Sequence, residues 1–193
     1  LPLAGGSSVN TITFESETGD RSDVTVTYHS QTGNPTIHIN GTNHVTFRNL
    51  TVEATNASNC RCLHIKGGSE DCTFVNVDMN APTTTSVSNV TAVVESPSGS
   101  LDHYMTFRNC SFIGGSYGMY LYGSGTTSTE DNMTIEHCRF AGQYYRPIYS
   151  YYLGKMNFID NTVEFTSNYS GNYLAMFYYG YDMNIERNRF YST

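Results

Sequence analysis

Apolar and polar residues alternate along this chain in short runs, and one nine-residue pattern returns throughout the sequence. In the copy at 104–112, Met105 and Phe107 alternate, and Cys110 and Phe112 then alternate in a phase shifted by one residue. A period of two predicts half-buried strands, and the shift predicts a corner between two of them. The copies begin at His44, Asp71, Tyr104, Asn132, Lys155 and Asp182.

The spacing of these copies predicts a solenoid. Successive copies begin 27, 33, 28, 23 and 27 residues apart, a period typical of repeat architectures. A further alternating run precedes each copy, as in 36–41, 62–67 and 118–123, which all end in glycine. Three short strands per coil, with like residues stacked in columns, predict an all-β fold, a right-handed parallel β-helix of about six to seven coils.

The stacked columns and the corner can be read directly from the repeat. One column is Val45, Cys72, Met105, Met133, Met156 and Met183, and the next is Phe47, Phe74, Phe107, Ile135, Phe158 and Ile185. Asparagine suits the corner because it tolerates left-handed backbone angles. The corner positions are Asn49, Asn76 and Asn109, followed by His137, Asp160 and Arg187.

Length and charge narrow the classes of protein to which this chain can belong. The 193 residues, 38% of them apolar, and the unbroken repeat predict one β-helix domain over 1–193. Because neither end resembles a solenoid cap, we expect a fragment of a longer protein with neighbouring domains in the same polypeptide. The net charge of −7 argues against nucleic acid as a partner. The sequence contains no apolar run long enough to predict membrane insertion.

Three of the five cysteines predict buried free thiols, and none predicts a metal site. The alternative is a disulfide, since Cys110 and Cys138 share one column in successive coils. Cys72, Cys110 and Cys138 fall on inward positions of the repeat, where a thiol acts as a small apolar group. Cys60 and Cys62 are too close to bridge easily, and no second pair completes a zinc site. We therefore expect no structural metal bound by cysteine.

Part of the chain resembles a known family. The segments 10–20, 22–26 and 39–51 resemble pectate-lyase-like β-helix segments of large secreted or cell-surface proteins of Bacteroidetes. The similarity is strongest over 10–55. This resemblance implies a secreted or cell-surface bacterial location, and it implies no defined reaction, because the fold serves lyases, hydrolases and non-catalytic stalks.

The strand that ends in glycine offers the first candidate site. The predicted outward-facing residues are His38, Asn40, His64, Lys66, Tyr120, Tyr122, Tyr149, Tyr151, Phe177 and Tyr179. Aromatic rings can stack on sugars while the polar groups bond hydroxyls, which predicts a polysaccharide or glycan as the partner. The alternative interpretation is that tyrosine is a good strand former and that its ladders only stiffen the sheet.

Acidic residues at the following turn offer a second candidate site. They are Glu70, Asp71, Asp102, Glu130, Asp131 and Asp182. Carboxylates on adjacent coils could act as an acid–base pair or bind calcium, with Asp102, Asp131 and Lys66 as the catalytic candidates. The alternative interpretation is a set of solvated turn acids, because the loops differ in length and the polygalacturonase motifs are absent.

Together these observations favour an extracellular module that binds glycan, or mediates adhesion, without catalysis and without a cofactor. The first alternative is a polysaccharide lyase or glycoside hydrolase that acts in the same groove, along the outward-facing side of the strand that ends in glycine. The second is a structural spacer in a long adhesin.

Overall fold

The computed structural model describes residues 6–127 and 129–192, and the described chain forms a parallel β-solenoid. Residues 1–5, Ser128 and Thr193 lie outside the described part, so the prediction that neither end of the chain resembles a solenoid cap falls partly on residues that are not described. Three faces, named sheets 1 to 3, make up the solenoid. Sheet 1 contains Ile37–Asn40, Leu63–Lys66, Val94–Ser96, Tyr117–Tyr122, Arg146–Tyr151 and Ala175–Tyr178.

Sheets 2 and 3 share two long strands, Val45–Ala54 and Thr73–Asn80, which bend from one sheet into the other. Sheet 2 also contains Ile12–Glu15, Thr106–Arg108, Thr134–Glu136, Asn157–Ile159 and Asn184–Glu186. Sheet 3 also contains Thr25–Tyr28, Ser111–Ile113, Arg139–Ala141, Thr162–Phe165 and Arg189–Ser192. A short ladder joins Glu130–Asp131 to Leu153–Gly154, and a single 3₁₀ turn spans Asn89–Thr91.

The predicted architecture of three short strands per coil is confirmed. Every pair of neighbouring strands is parallel, and the solenoid makes about six turns. The predicted column is also confirmed, since Phe47 pairs with Phe74 and Phe74 with Phe107. In the part of the chain that the structure describes, no helix is long and apolar enough to cross a membrane.

The predicted corner between sheets 2 and 3 is confirmed by the backbone. Asn49, Asn76 and Asn109 have φ of 54°, 56° and 53°, and the three later corner residues share this left-handed conformation. Asn76 Nδ2 donates to Asn49 Oδ1 at 2.9 Å, and Asn109 Nδ2 donates to Asn76 Oδ1 at 3.0 Å. The side-chain amides of these three asparagines therefore form a ladder that links the corners of three consecutive coils.

A second left-handed corner, between sheets 1 and 2, is a feature that sequence reasoning missed. The first residue of all six repeat copies has a positive φ, between 51° for Lys155 and 62° for Asn132. Histidine, aspartate and asparagine, which favour this conformation, occupy four of the six positions and were the available signal. Tyr104 and Lys155 are bulkier residues that rarely adopt it.

The core lies inside the coil and is built from stacked phenylalanine rings. The centroids of Phe47 and Phe74 are 5.3 Å apart, and those of Phe74 and Phe107 are 4.8 Å apart. Phe74 and Phe107 are fully buried, whereas Phe14 and Ile185, near the two ends of the solenoid, are exposed. Hydrophobic burial along the axis therefore holds neighbouring coils together.

The prediction of buried free thiols is confirmed for Cys72, Cys110 and Cys138, and Cys60 and Cys62 are buried free thiols as well. Burial raises the pKa of Cys60 and of Cys72 to about 11. These thiols therefore stay protonated at neutral pH and pack as small apolar groups.

Candidate functional site

The outer face of sheet 1 carries two columns of side chains set by the parallel register. His38 pairs with His64, His64 with Glu95, Glu95 with Tyr120 and Tyr120 with Tyr149. In the second column, Asn40 pairs with Lys66, Tyr122 with Tyr151 and Tyr151 with Tyr178. The structure therefore places seven of the predicted residues on one face, as expected: His38, His64, Lys66, Tyr120, Tyr122, Tyr149 and Tyr151.

Two predicted members of this face lie elsewhere. Phe177 pairs with the buried Ser150, and its ring packs inward against Phe158 with centroids 5.7 Å apart. Tyr179 lies one residue after its strand, at a φ of 52°. The outward placement of Phe177 was wrong because the tyrosine-rich run lacks clear alternation, whereas Tyr179 is exposed but lies beyond the end of the strand. The outward positions of that strand are Met176 and Tyr178.

The tyrosine rings in the centre of the face stack on one another along the solenoid axis. Tyr120 and Tyr149 lie 5.0 Å apart with planes within 3°, and Tyr122 and Tyr151 lie 4.6 Å apart. Tyr178 continues the second stack at 5.2 Å. Neighbouring rings therefore cover each other's faces, so the central array presents ring edges and phenol hydroxyls. Burial raises the pKa of Tyr120 to about 12, which keeps its hydroxyl a donor as well as an acceptor.

A different pair of tyrosines, Tyr152 and Tyr179, stacks at the edge of this array. Tyr152 meets Tyr151 at 86° with centroids 4.4 Å apart, and Tyr179 meets Tyr178 at 74° and 4.5 Å. Because both faces of Tyr151 are covered, its edge must contact the face of Tyr152. Tyr152 and Tyr179 are within 11° of parallel, their centroids are 5.1 Å apart, and Tyr179 is 54% exposed. We call this pair the tyrosine platform.

The other end of the face contains a buried ion pair that sequence reasoning missed. The Glu95 carboxylate contacts the Arg61 guanidinium and accepts a hydrogen bond of 2.6 Å from Asn89 Nδ2. Glu95 is only 2% exposed, although alternation places it on the outer face. Burial raises the pKa of Glu95, and Arg61 opposes this effect. The pair holds the 81–93 loop, through Asn89, against sheet 1.

Two stacked imidazoles border this ion pair. The rings of His38 and His64 lie 5.2 Å apart with planes within 8°, and His64 Nε2 lies 3.5 Å from a Glu95 oxygen. Burial, aided by Arg61, lowers the pKa of His64 to about 4, and burial also lowers the pKa of His38. Both imidazoles are therefore neutral at neutral pH and suited to hydrogen bonding.

The predicted turn acids do not form an exposed catalytic pair. Glu70 is in register with His103, and Asp71 and Asp182 occupy the second corner four coils apart. Only Asp102 and Glu130 meet, and both are buried inside the coil at 1% and 0% exposure. The expectation that Asp102 lies at the groove was therefore wrong, because its turn folds into the interior.

Ser96 joins the two buried carboxyl groups. Its Oγ lies 3.0 Å from Asp102 Oδ2 and 2.7 Å from Glu130 Oε1. A hydroxyl has one proton to donate, so the second contact requires a protonated carboxyl group. Asp102 also accepts a hydrogen bond of 2.8 Å from Ser69 N, which favours its ionised form. Burial and the neighbouring Asp102 raise the pKa of Glu130 to about 8, so Glu130 holds the proton.

Asp131 and Lys66, the other catalytic candidates, lie apart from this pair and from each other. Asp131 accepts hydrogen bonds of 2.6 Å from both Thr129 and Tyr181 and lies 3.8 Å from Lys155 Nζ. Lys66 stands on sheet 1 beside Asn40. Among residues 6–127 and 129–192, no three His, Cys, Asp or Glu side chains are placed to hold a metal ion.

The comparisons with known proteins agree with the fold. No curated protein and no solved structure gives a significant match to the chain. Residues 61–193 match the family described as "Right handed beta helix region", a match that begins after the segment 10–55. Since this match covers more than half of the chain and the strands coil as such a family requires, the protein belongs to the right-handed β-helix family.

Proposed function

We propose that this chain is a non-catalytic module of an extracellular or cell-surface protein and that it binds polysaccharide on the outer face of sheet 1. The tyrosine platform carries the proposal, because Tyr152 and Tyr179 form a stacked pair at the edge of the array and Tyr179 is 54% exposed. Ring faces of this kind stack on the apolar faces of sugars, while the adjacent phenols bond sugar hydroxyls.

The charge of the chain narrows the ligand class. A net charge of −7 repels polyanions over the distance of a Debye length, so a neutral polysaccharide is favoured over an acidic one. The pectate-lyase-like resemblance supports an extracellular location and a carbohydrate partner, as part of the same proposal.

A glycan array, run with calcium and with a chelator, tests the proposal. The double variant Tyr152→Ala with Tyr179→Ala removes the platform. Each ring removed should weaken retention about tenfold if a stacking contact contributes about 1.4 kcal/mol. Tyr28→Ala is the matched control, because Tyr28 is similarly exposed but lies on sheet 3. Equal retention by the double variant and the wild type would refute the platform as the binding surface.

An enzyme that acts in the same groove is the second candidate, and the Glu95 cluster is the observation that favours it. A carboxylate, an imidazole and a phenol stand in successive coils as Glu95, His64 and Tyr120. The 2% exposure of Glu95 means that a substrate could reach it only after the 81–93 loop moves. Assays for new reducing ends and for unsaturated products test this candidate. Turnover that Glu95→Gln leaves unchanged would exclude Glu95 as the acid or base.

The structural spacer is the remaining alternative. It would be supported if neither retention nor products were found with any glycan on the array.

A further inference from the structure

A trough of about 550 Å³ lies on the outer face of sheet 2, away from the tyrosine platform. Its volume falls within the range of about 300–1,000 Å³ that is usual for small-ligand sites. Its floor is the outer surface of sheet 2, and the second left-handed corner forms a wall along one side.

A ladder of threonine hydroxyls forms the floor of the trough. Thr73 pairs with Thr106 and Thr106 with Thr134, and all three side chains are half-buried on the outer face. Parallel strands repeat at about 4.8 Å, so the hydroxyls recur at that spacing along the axis. Each hydroxyl is both a donor and an acceptor, which matches the hydroxyl groups of a sugar.

Tyr104 supplies an aromatic ring to the wall of the trough. It is 51% exposed and has a φ of 56°. This is the left-handed angle that the first residue of all six repeat copies adopts at the second corner. Tyr104 and Thr106, two positions further along the chain, both line the trough.

The polar groups along the same wall indicate a neutral ligand. His44 Nδ1 lies 3.6 Å from Asp71 Oδ2, and Asn132 adds an amide. None of the described residues that line the trough is Lys or Arg. A carboxylate without an opposing Lys or Arg disfavours anionic sugars.

We propose that this trough is a second carbohydrate site, which binds a segment of neutral polysaccharide with one sugar ring stacked on Tyr104. The sugar hydroxyls bond to the threonine ladder, and the polysaccharide chain runs along the solenoid axis. This inference does not depend on the proposed function of sheet 1, because the two surfaces share no residue.

Isothermal titration with neutral hexasaccharides of the β-1,4-glucan, β-1,4-xylan and β-1,4-mannan types tests the proposal on the full chain. At least one hexasaccharide should bind to the wild type and to the Tyr152→Ala/Tyr179→Ala double variant. Tyr104→Ala should weaken that binding about tenfold, while the Tyr28→Ala control should leave it unchanged. Thr106→Val keeps the shape of the floor and removes one hydroxyl, so it should weaken binding even if Tyr104→Ala alters the corner.

Circular dichroism of each variant confirms that a loss of binding is not a loss of fold. The trough proposal is overturned if none of the three hexasaccharides binds to the wild type. It is also overturned if Tyr104→Ala and Thr106→Val both bind like the wild type. Loss of binding only in the Tyr152→Ala/Tyr179→Ala variant would overturn the trough proposal and leave the sheet 1 proposal standing.

Discussion

The carboxyl pair bridged by Ser96 predicts a fold that becomes less stable as the pH rises from acidic to mildly alkaline. Glu130 is fully buried, and its pKa of about 8 compares with an ordinary value of 4.5. Between these two pH values the folded state binds more protons than the unfolded state, so raising the pH favours unfolding. The contribution of Glu130 to the free energy of unfolding is fully present below pH 4.5 and is lost as the pH rises through 8.

The structure gives the size of this effect. Each unit of pKa difference corresponds to about 1.4 kcal/mol, so Glu130 accounts for about 5 kcal/mol between pH 4.5 and 8. Burial also raises the pKa of Asp102 to about 6, but the two carboxyl groups share one proton and their effects do not simply add. His103 and Cys72 are the other titratable groups that face Asp102. For a domain of this size, 5 kcal/mol corresponds to a Tm difference of about 10–20 °C.

The perturbation is Glu130→Gln, which keeps the shape of the side chain and removes its titration. Thermal unfolding followed by circular dichroism from pH 4.5 to 8.5 should show a Tm that falls with pH in the wild type and much less in the variant. Asp131→Asn is the matched control from the adjacent position. Burial acts to raise the pKa of Asp131, but hydrogen bonds from Thr129 and Tyr181 outweigh it and lower the pKa. Parallel pH profiles for the wild type and Glu130→Gln would refute the reasoning.

Three further predictions concern the scaffold, and each is measured as a free energy of unfolding in urea. Phe107→Ala should cost about 3–5 kcal/mol, because the fully buried ring is stacked on Phe74. A cost below about 1 kcal/mol would contradict a stabilising role for the stacked phenylalanine rings of the core. Asn76→Ala should cost about 1–3 kcal/mol through two lost amide hydrogen bonds and a strained left-handed corner, and Asn76→Gly should recover only the strain. Arg61→Met should cost about 3 kcal/mol at pH 7 and less at pH 4, because protonation of Glu95 then removes the unpaired buried charge.

The strands and the first corner could be predicted because each structural position of the coil recurs several times in the sequence. The first corner could be recognised because the same side chain recurs there, at Asn49, Asn76 and Asn109. The core column could be recognised because a buried apolar residue recurs there, at Phe47, Phe74 and Phe107. The second corner was missed because it demands a backbone angle rather than a side-chain chemistry. Residues as different as Tyr104 and Lys155 occupy it.

The candidate sites were harder to predict, because they depend on register between coils of unequal length. Glu95 and Arg61 are 34 residues apart, and their contact cannot be predicted without knowing the register that the 81–93 loop leaves between the two coils. Asp102 and Glu130 meet inside the coil for the same reason. The tyrosine platform was not predicted from the sequence, because the run that contains Tyr152 has aromatic residues at both inward and outward positions of the alternation.

The stacked tyrosines also give the protein an optical property. The chain has sixteen tyrosines and no tryptophan, so its ultraviolet emission comes from phenol rings that no indole masks. With neighbouring centroids 4.6–5.2 Å apart, excitation absorbed at one ring can migrate along the stack to the ring at its end. A ligand that quenches Tyr178 or Tyr179 would then dim the emission of several rings at once, which makes the native chain its own fluorescent reporter of occupancy.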